Sequence, residues 1–157
     1  MIKYFAYGSN MNVAEVSKWC EQRHIPGVTF SKWQVAVLPD HELRFNAFST
    51  TQKCGVANIM VNPGSFVEGI LFELEEMDME RIRHKVGVPG FYNEVHISVK
   101  LRNGAVVDNV RTFKVLKVFQ DEKARPTKEY LNKILDAAHS FALDDEYIHS
   151  LETVECM

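Results

Sequence analysis

Gly8, Ser9 and Asn10 stand together between an apolar run, Ile2 to Tyr7, and a helical pattern that starts near Asn12. A strand-to-helix turn of small polar residues gathers backbone N–H groups that have no partner inside the helix, and such a turn attracts carboxylates and phosphates. Gly8 tolerates positive φ, and Ser9 and Asn10 can hydrogen-bond their own backbone. The same residues would also suit a plain helix cap. Other chemistry is harder to build from this chain. The histidines at 24, 41, 84, 96, 139 and 149 show no paired spacing with cysteine or carboxylate, so no metal site and no cofactor is expected. Cys20, Cys54 and Cys156 have no evident activating neighbour and read as free thiols rather than nucleophiles.

The elements that must hold the turn can be read along the chain. After it comes a helix from Asn12 to Gln22, with Asn12 and Glu15 at capping-box spacing and Val13, Val16, Trp19 and Cys20 on one face. Ile25-Pro26-Gly27 stops it. Short β-rich runs follow at Val35–Leu38, Leu43–Phe48, Val56–Val61 and Glu68–Leu74. Turn signals at Pro39-Asp40, Ser49–Gly55 and Asn62–Ser65 separate them. A helix is predicted from Glu75 to about Lys85, ended by Gly87-Val88-Pro89-Gly90. Val95, Ile97, Val99 and Leu101 alternate as a half-buried strand, and Asn103-Gly104 turns it back into Val106–Val118. Two helices close the chain, Lys128 to Ala142 and one capped by Asp144. Strands with no long helices between them predict an α+β fold, a small mixed β-barrel or sheet with flanking helices.

At 157 residues, with 46% hydrophobic and 25% charged residues, the chain reads as a single domain spanning 1–157 with a core of its own. A formal charge of −3 without a block of one sign argues against a nucleic-acid or anionic-membrane partner. No apolar stretch is long enough to span a bilayer, and Met1–Tyr4 reads as strand rather than signal peptide. With free thiols, a cytoplasmic location is expected.

Phe5-Ala6-Tyr7-Gly8-Ser9-Asn10-Met11 resembles the signature loop of the gamma-glutamylcyclotransferase-like (AIG2-like) family. Further segments match in order: Ala36 to Asn46, Gly55 to Ile59 with Asn62-Pro63-Gly64, Val67 to Phe72, Gly87 to Tyr92, and Pro126 to Tyr130 through Leu151. The resemblance implies the family's barrel and a cleft for a small γ-glutamyl-type ligand. It also implies a reaction in which the substrate's α-amine attacks its own γ-carbonyl, releasing 5-oxoproline and an amine. It assigns ligand contacts to Tyr7, Gly8, Ser9, Asn10, Tyr92 and Tyr130.

The catalytic position departs from that pattern. The family's acid/base glutamate directly precedes the Gly of the Gly-x-Pro loop, which here is Val86; a shift of one residue gives Lys85. Neither is a carboxylate. Glu94 is the candidate substitute, because it shares strand parity with Tyr92 and could face the cleft with it. Asp78, Glu80 and His84 are also close in sequence, although Glu80 lies more than a helical turn away. Retained or redirected turnover and a catalytically silent ligand-binding or protein-interaction module both stay open at this point.

Overall fold

The computed structural model describes all residues from Met1 to Met157. Five strands, β1 (Ile2–Ala6), β2 (Lys32–Ser49), β3 (Cys54–Leu74), β4 (Tyr92–Leu101) and β5 (Val106–Val115), close into a barrel in the order β1-β3-β2-β4-β5. Neighbours pair antiparallel, except that β1 runs parallel to β5 where Tyr4 faces Arg111. The barrel is therefore mixed, as expected, and closure leaves it no unpaired edge. Four helices flank it: α1 (Val13–Gln22), α2 (Glu76–Val86), α3 (Lys128–Ser140) and α4 (Asp145–Glu152). Buried side chains from all five strands and all four helices form one hydrophobic cluster.

The short strands expected between residues 35 and 74 are two long, bent ones. Pro39-Asp40 and Asn62–Ser65 are not chain reversals; they are irregularities inside one hairpin, with register shifts at Pro39/His41 and Arg44/Ala47. Asp40 and Gly64 take the positive φ values these kinks need, 57° and 88°, and the Gly64 N–H donates to Asp40 Oδ1 at 3.0 Å. The residues that signal turns thus serve to bend strands around a barrel. The strand after Asn103-Gly104 also ends earlier than expected, at Val115, before a 3-10 turn at Lys117–Phe119.

Local rules place the helices next to the first turn. Asn12 caps α1, its Oδ1 accepting from the Glu15 N–H at 3.2 Å, and its Nδ2 donates to the Lys133 carbonyl at 3.0 Å, which ties α1 to α3. Glu15 does not reach back in a full capping box, because its carboxylate pairs with Lys133 at 3.3 Å. Gly87, with φ at 85°, ends α2 as a left-handed C-cap. Thr127 caps α3 through the Tyr130 N–H at 3.1 Å. Asp144 stands at the N-cap of α4 but makes no side-chain cap; its own N–H donates to the buried Glu68 at 3.0 Å.

Candidate functional site

The turn after β1 opens into a cleft of about 650 Å³, within the range of small-molecule sites. Its lining combines Tyr4 and Tyr7 to Asn10 with one face of α1 and the end of α2. Val56 and Ala57 of β3, with Tyr92, Phe113 and Tyr130, supply the rest. Phe48 to Gln52, Phe91 and Phe119 complete it.

Ala57 fixes two of the tyrosines. Its N–H donates to the Tyr130 hydroxyl at 3.2 Å, and its carbonyl accepts from the Tyr92 hydroxyl at 2.6 Å. Tyr92 has therefore spent its proton on the backbone, whereas Tyr130 is used here as an acceptor and keeps its own O–H to donate. Tyr7 donates to the Phe113 carbonyl at 2.6 Å and anchors the turn to β5. Burial pushes all three phenols up, Tyr130 to about 12, where the Ala57 N–H and Ser9 partly offset it. They are neutral hydroxyls at physiological pH.

Gly8 is required for closeness rather than for positive φ. Its φ is −117°, and a Cβ there would lie 3.0 Å from the Ala57 Cβ and 3.9 Å from the Tyr130 oxygen. A side chain would fill the space between the turn and the tyrosine hydroxyl. Ser9 to Met11 form a 3-10 turn, with Asn10 and Met11 buried.

Asn10 is held from both ends. Its Nδ2 donates to the Tyr4 hydroxyl at 3.1 Å, and its Oδ1 accepts from Lys85 Nζ at 2.7 Å. Lys85 thus reaches from the last turn of α2 across to the signature turn. It takes part in none of the protein's ion pairs. Burial, and then the charge of Lys133, lower its ammonium to about 8, against a smaller opposing pull from Glu15. Val86 also lines the cleft, partly buried against the core.

The carboxylates near α2 in sequence are elsewhere. Glu94 shares the strand face of Tyr92, as expected from parity: in the β4–β5 register Tyr92 faces Val115 and Glu94 faces Phe113. At Glu94, however, that face is covered by Arg83 of α2. The guanidinium takes both carboxylate oxygens, at 2.6 and 3.1 Å, and Arg111 adds a third contact at 3.6 Å. Glu94 is not part of the cleft lining, so the sequence expectation that it faces the cleft with Tyr92 is not met. Glu80 is likewise bound to Arg83, and Asp78 to Arg81 at 2.9 Å. His84 does line the cleft, edge-on to the Trp19 ring at 5.5 Å.

Tyr7, Gly8, Ser9, Asn10, Tyr92 and Tyr130 are all brought together around the one cleft. Sequence reading reached Lys85 but set it aside as not a carboxylate, because its contact with Asn10 is visible only in the fold. It missed the α1 face of Glu15, Lys18, Trp19 and Gln22. Their spacing of three, four and seven residues, which puts them on one side of a helix, was available as a signal.

Comparison with known proteins shows the family. The model of the AIG2-like family matches residues 66–151, more than half of the chain. The mouse protein gamma-glutamylcyclotransferase is 28% identical, over 97% of this chain and 78% of its own length. A solved gamma-glutamyl cyclotransferase structure superposes with a TM-score of 0.81 at 27% identity, covering 99% of this chain and 89% of that one. YkqA from Bacillus subtilis shares the fold, with a TM-score of 0.80 at 22% identity over 99% of this chain and 56% of its own. No helix is long and apolar enough to cross a membrane. With a matching family model, this similarity along nearly its whole length, and the gamma-glutamyl cyclotransferase fold, the chain belongs to the AIG2-like, gamma-glutamylcyclotransferase-like family.

Proposed function

We propose that the cleft binds a small γ-glutamyl-type molecule by its carboxylate end and closes it to 5-oxoproline, releasing an amine. The observation that carries this reading is the Lys85–Asn10 contact at 2.7 Å, an unpaired ammonium held against the Gly8–Asn10 turn. An anion seated beside this contact can draw on the ammonium, the Tyr130 O–H and the first N–H groups of the turn. The γ-carbonyl and α-nitrogen are then held in one small space, and an intramolecular attack gains greatly from such orientation. The similarity to gamma-glutamylcyclotransferases supports the same ligand class.

Val86 favours a second reading, a protein that binds this ligand without turning it over, because valine cannot move a proton. A panel of γ-glutamyl-alanine, glutathione and γ-glutamyl-ε-lysine tests the ligand class by thermal shift and isothermal titration. At least one should stabilise the protein, and Tyr130→Phe should weaken its binding about tenfold through loss of one hydrogen bond to a charged group. Absence of binding by the whole panel would exclude both readings.

A further inference from the structure

Lys85 is an ionisable group of the cleft lining that stands directly beside Val86. We infer that Lys85 is the proton carrier of this cleft, doing from position 85 what Val86 cannot do from position 86. The inference rests on the cleft's taking a γ-glutamyl ligand.

Geometry is the first support. Lys85 Nζ is fixed 2.7 Å from Asn10 Oδ1, in the turn assigned to the ligand's carboxylate end. An ammonium in that position, without a carboxylate partner, must be compensated by ligand or give up its proton. Its surroundings bring the second course within reach. From α3 Lys133 faces it, from α1 Glu15 and Cys20, and from the residue after α1 Arg23; Lys133 and Arg23 lower its proton affinity and Glu15 and Cys20 raise it, with burial the larger effect. Its neighbour His84 and, through Asn10, the neutral phenol of Tyr4 complete the set. At about 8, an appreciable share of Lys85 is neutral amine at physiological pH.

Bringing in the substrate's α-ammonium adds a second cation to the same space. Two cations at close range lower each other's proton affinity, so binding itself favours loss of one proton from the pair. The steps balance as follows. Neutral Lys85 takes a proton from the α-ammonium, and the freed amine attacks the γ-carbonyl, forming the ring C–N bond and a tetrahedral oxyanion. Lys85 gives that proton to the leaving nitrogen and takes the surplus proton from the ring nitrogen. The carbonyl re-forms as the old C–N bond breaks, and Lys85 passes the second proton to the departing amine. Two protons leave the α-nitrogen, two reach the leaving nitrogen, and Lys85 ends neutral as it began.

Release of 5-oxoproline from the three γ-glutamyl compounds is the test, followed across pH 6–10. The wild-type rate should rise with pH and level off near 8. Lys85→Met should lower kcat by about 10²–10⁴-fold, the usual worth of a positioned acid/base, while remaining folded by thermal unfolding. Lys85→Arg should be as impaired, since a guanidinium keeps the charge and cannot release the proton. Adding Val86→Glu to Lys85→Met should restore turnover, with the pH limb moved down into the carboxylate range. Several results would overturn the inference: Lys85→Met within threefold of wild type, full activity in Lys85→Arg, or no 5-oxoproline from any of the three compounds. If that last result came with ligand still stabilising the protein, the binding reading would stand and only the role of Lys85 would fall.

Discussion

Arg83 and Lys85 leave the same helix two residues apart and meet opposite surroundings. Arg83 turns toward β4, where Glu94, with Glu76 and Glu80 of its own helix, contacts its guanidinium. The Glu94 hydrogen bond, above all, raises its proton affinity further above an already high value. Lys85 turns into the cleft, meets a neutral amide and other cations, and is lowered to about 8. A helix built only for stability would pair both. The uncompensated one marks the side on which a ligand must complete the charge balance.

Substitutions on the two sides should therefore have opposite signs. The largest effect is expected from Arg83→Met, which leaves the half-buried Glu94 with only the 3.6 Å contact to Arg111. Denaturant unfolding should show a loss of about 2–4 kcal/mol, somewhat below that for a fully buried pair, with ligand affinity unchanged. Lys85→Met should instead stabilise the protein at pH 7 by about 1–3 kcal/mol, since ten-fold in proton affinity is worth about 1.4. The sign follows from linkage. Between about 8 and the ordinary 10.5 the unfolded chain binds more proton at Lys85 than the folded one, so wild-type stability rises with pH across that window. The advantage of Lys85→Met is complete below about 8 and gone by about 10.5.

Two smaller effects sharpen the contrast. Glu94→Gln keeps the shape but gives up the charge-assisted bonds to Arg83. It should cost about 1–2 kcal/mol and leave 5-oxoproline release at the wild-type rate, because Glu94 is outside the cleft lining. Glu80→Ala removes an exposed partner, 60% accessible, and should change stability by less than about 0.5 kcal/mol.

The fold was legible in the chain because its signals are local. Asn12 and Thr127 cap, Gly87 stops a helix, and Asn103-Gly104 turns a hairpin, each by its own side chain or backbone freedom. Pro39-Asp40 and Asn62–Ser65 misled because a bulge and a turn ask for the same residues, and only the pairing of β2 with β3 separates them. At the site, the Gly8–Asn10 turn and the tyrosines could be found from motif alone. The fate of Glu94 could not. Parity placed it on the correct strand face, but that Arg83 covers the face is a fact of how α2 packs, invisible from either segment. Lys85 was in view but its contact was not, since its partner Asn10 is 75 positions away.

The titration of the Lys85 side chain tests this account most directly. With lysine ε-carbons labelled, NMR should show Lys85 titrating near 8, well below the ordinary lysine range of about 10.4. Saturating γ-glutamyl-alanine should move that midpoint. A Lys85 that titrates at the ordinary value, with or without ligand, would contradict the account, since the cleft would then hold an ordinary surface cation and no group suited to carry its protons.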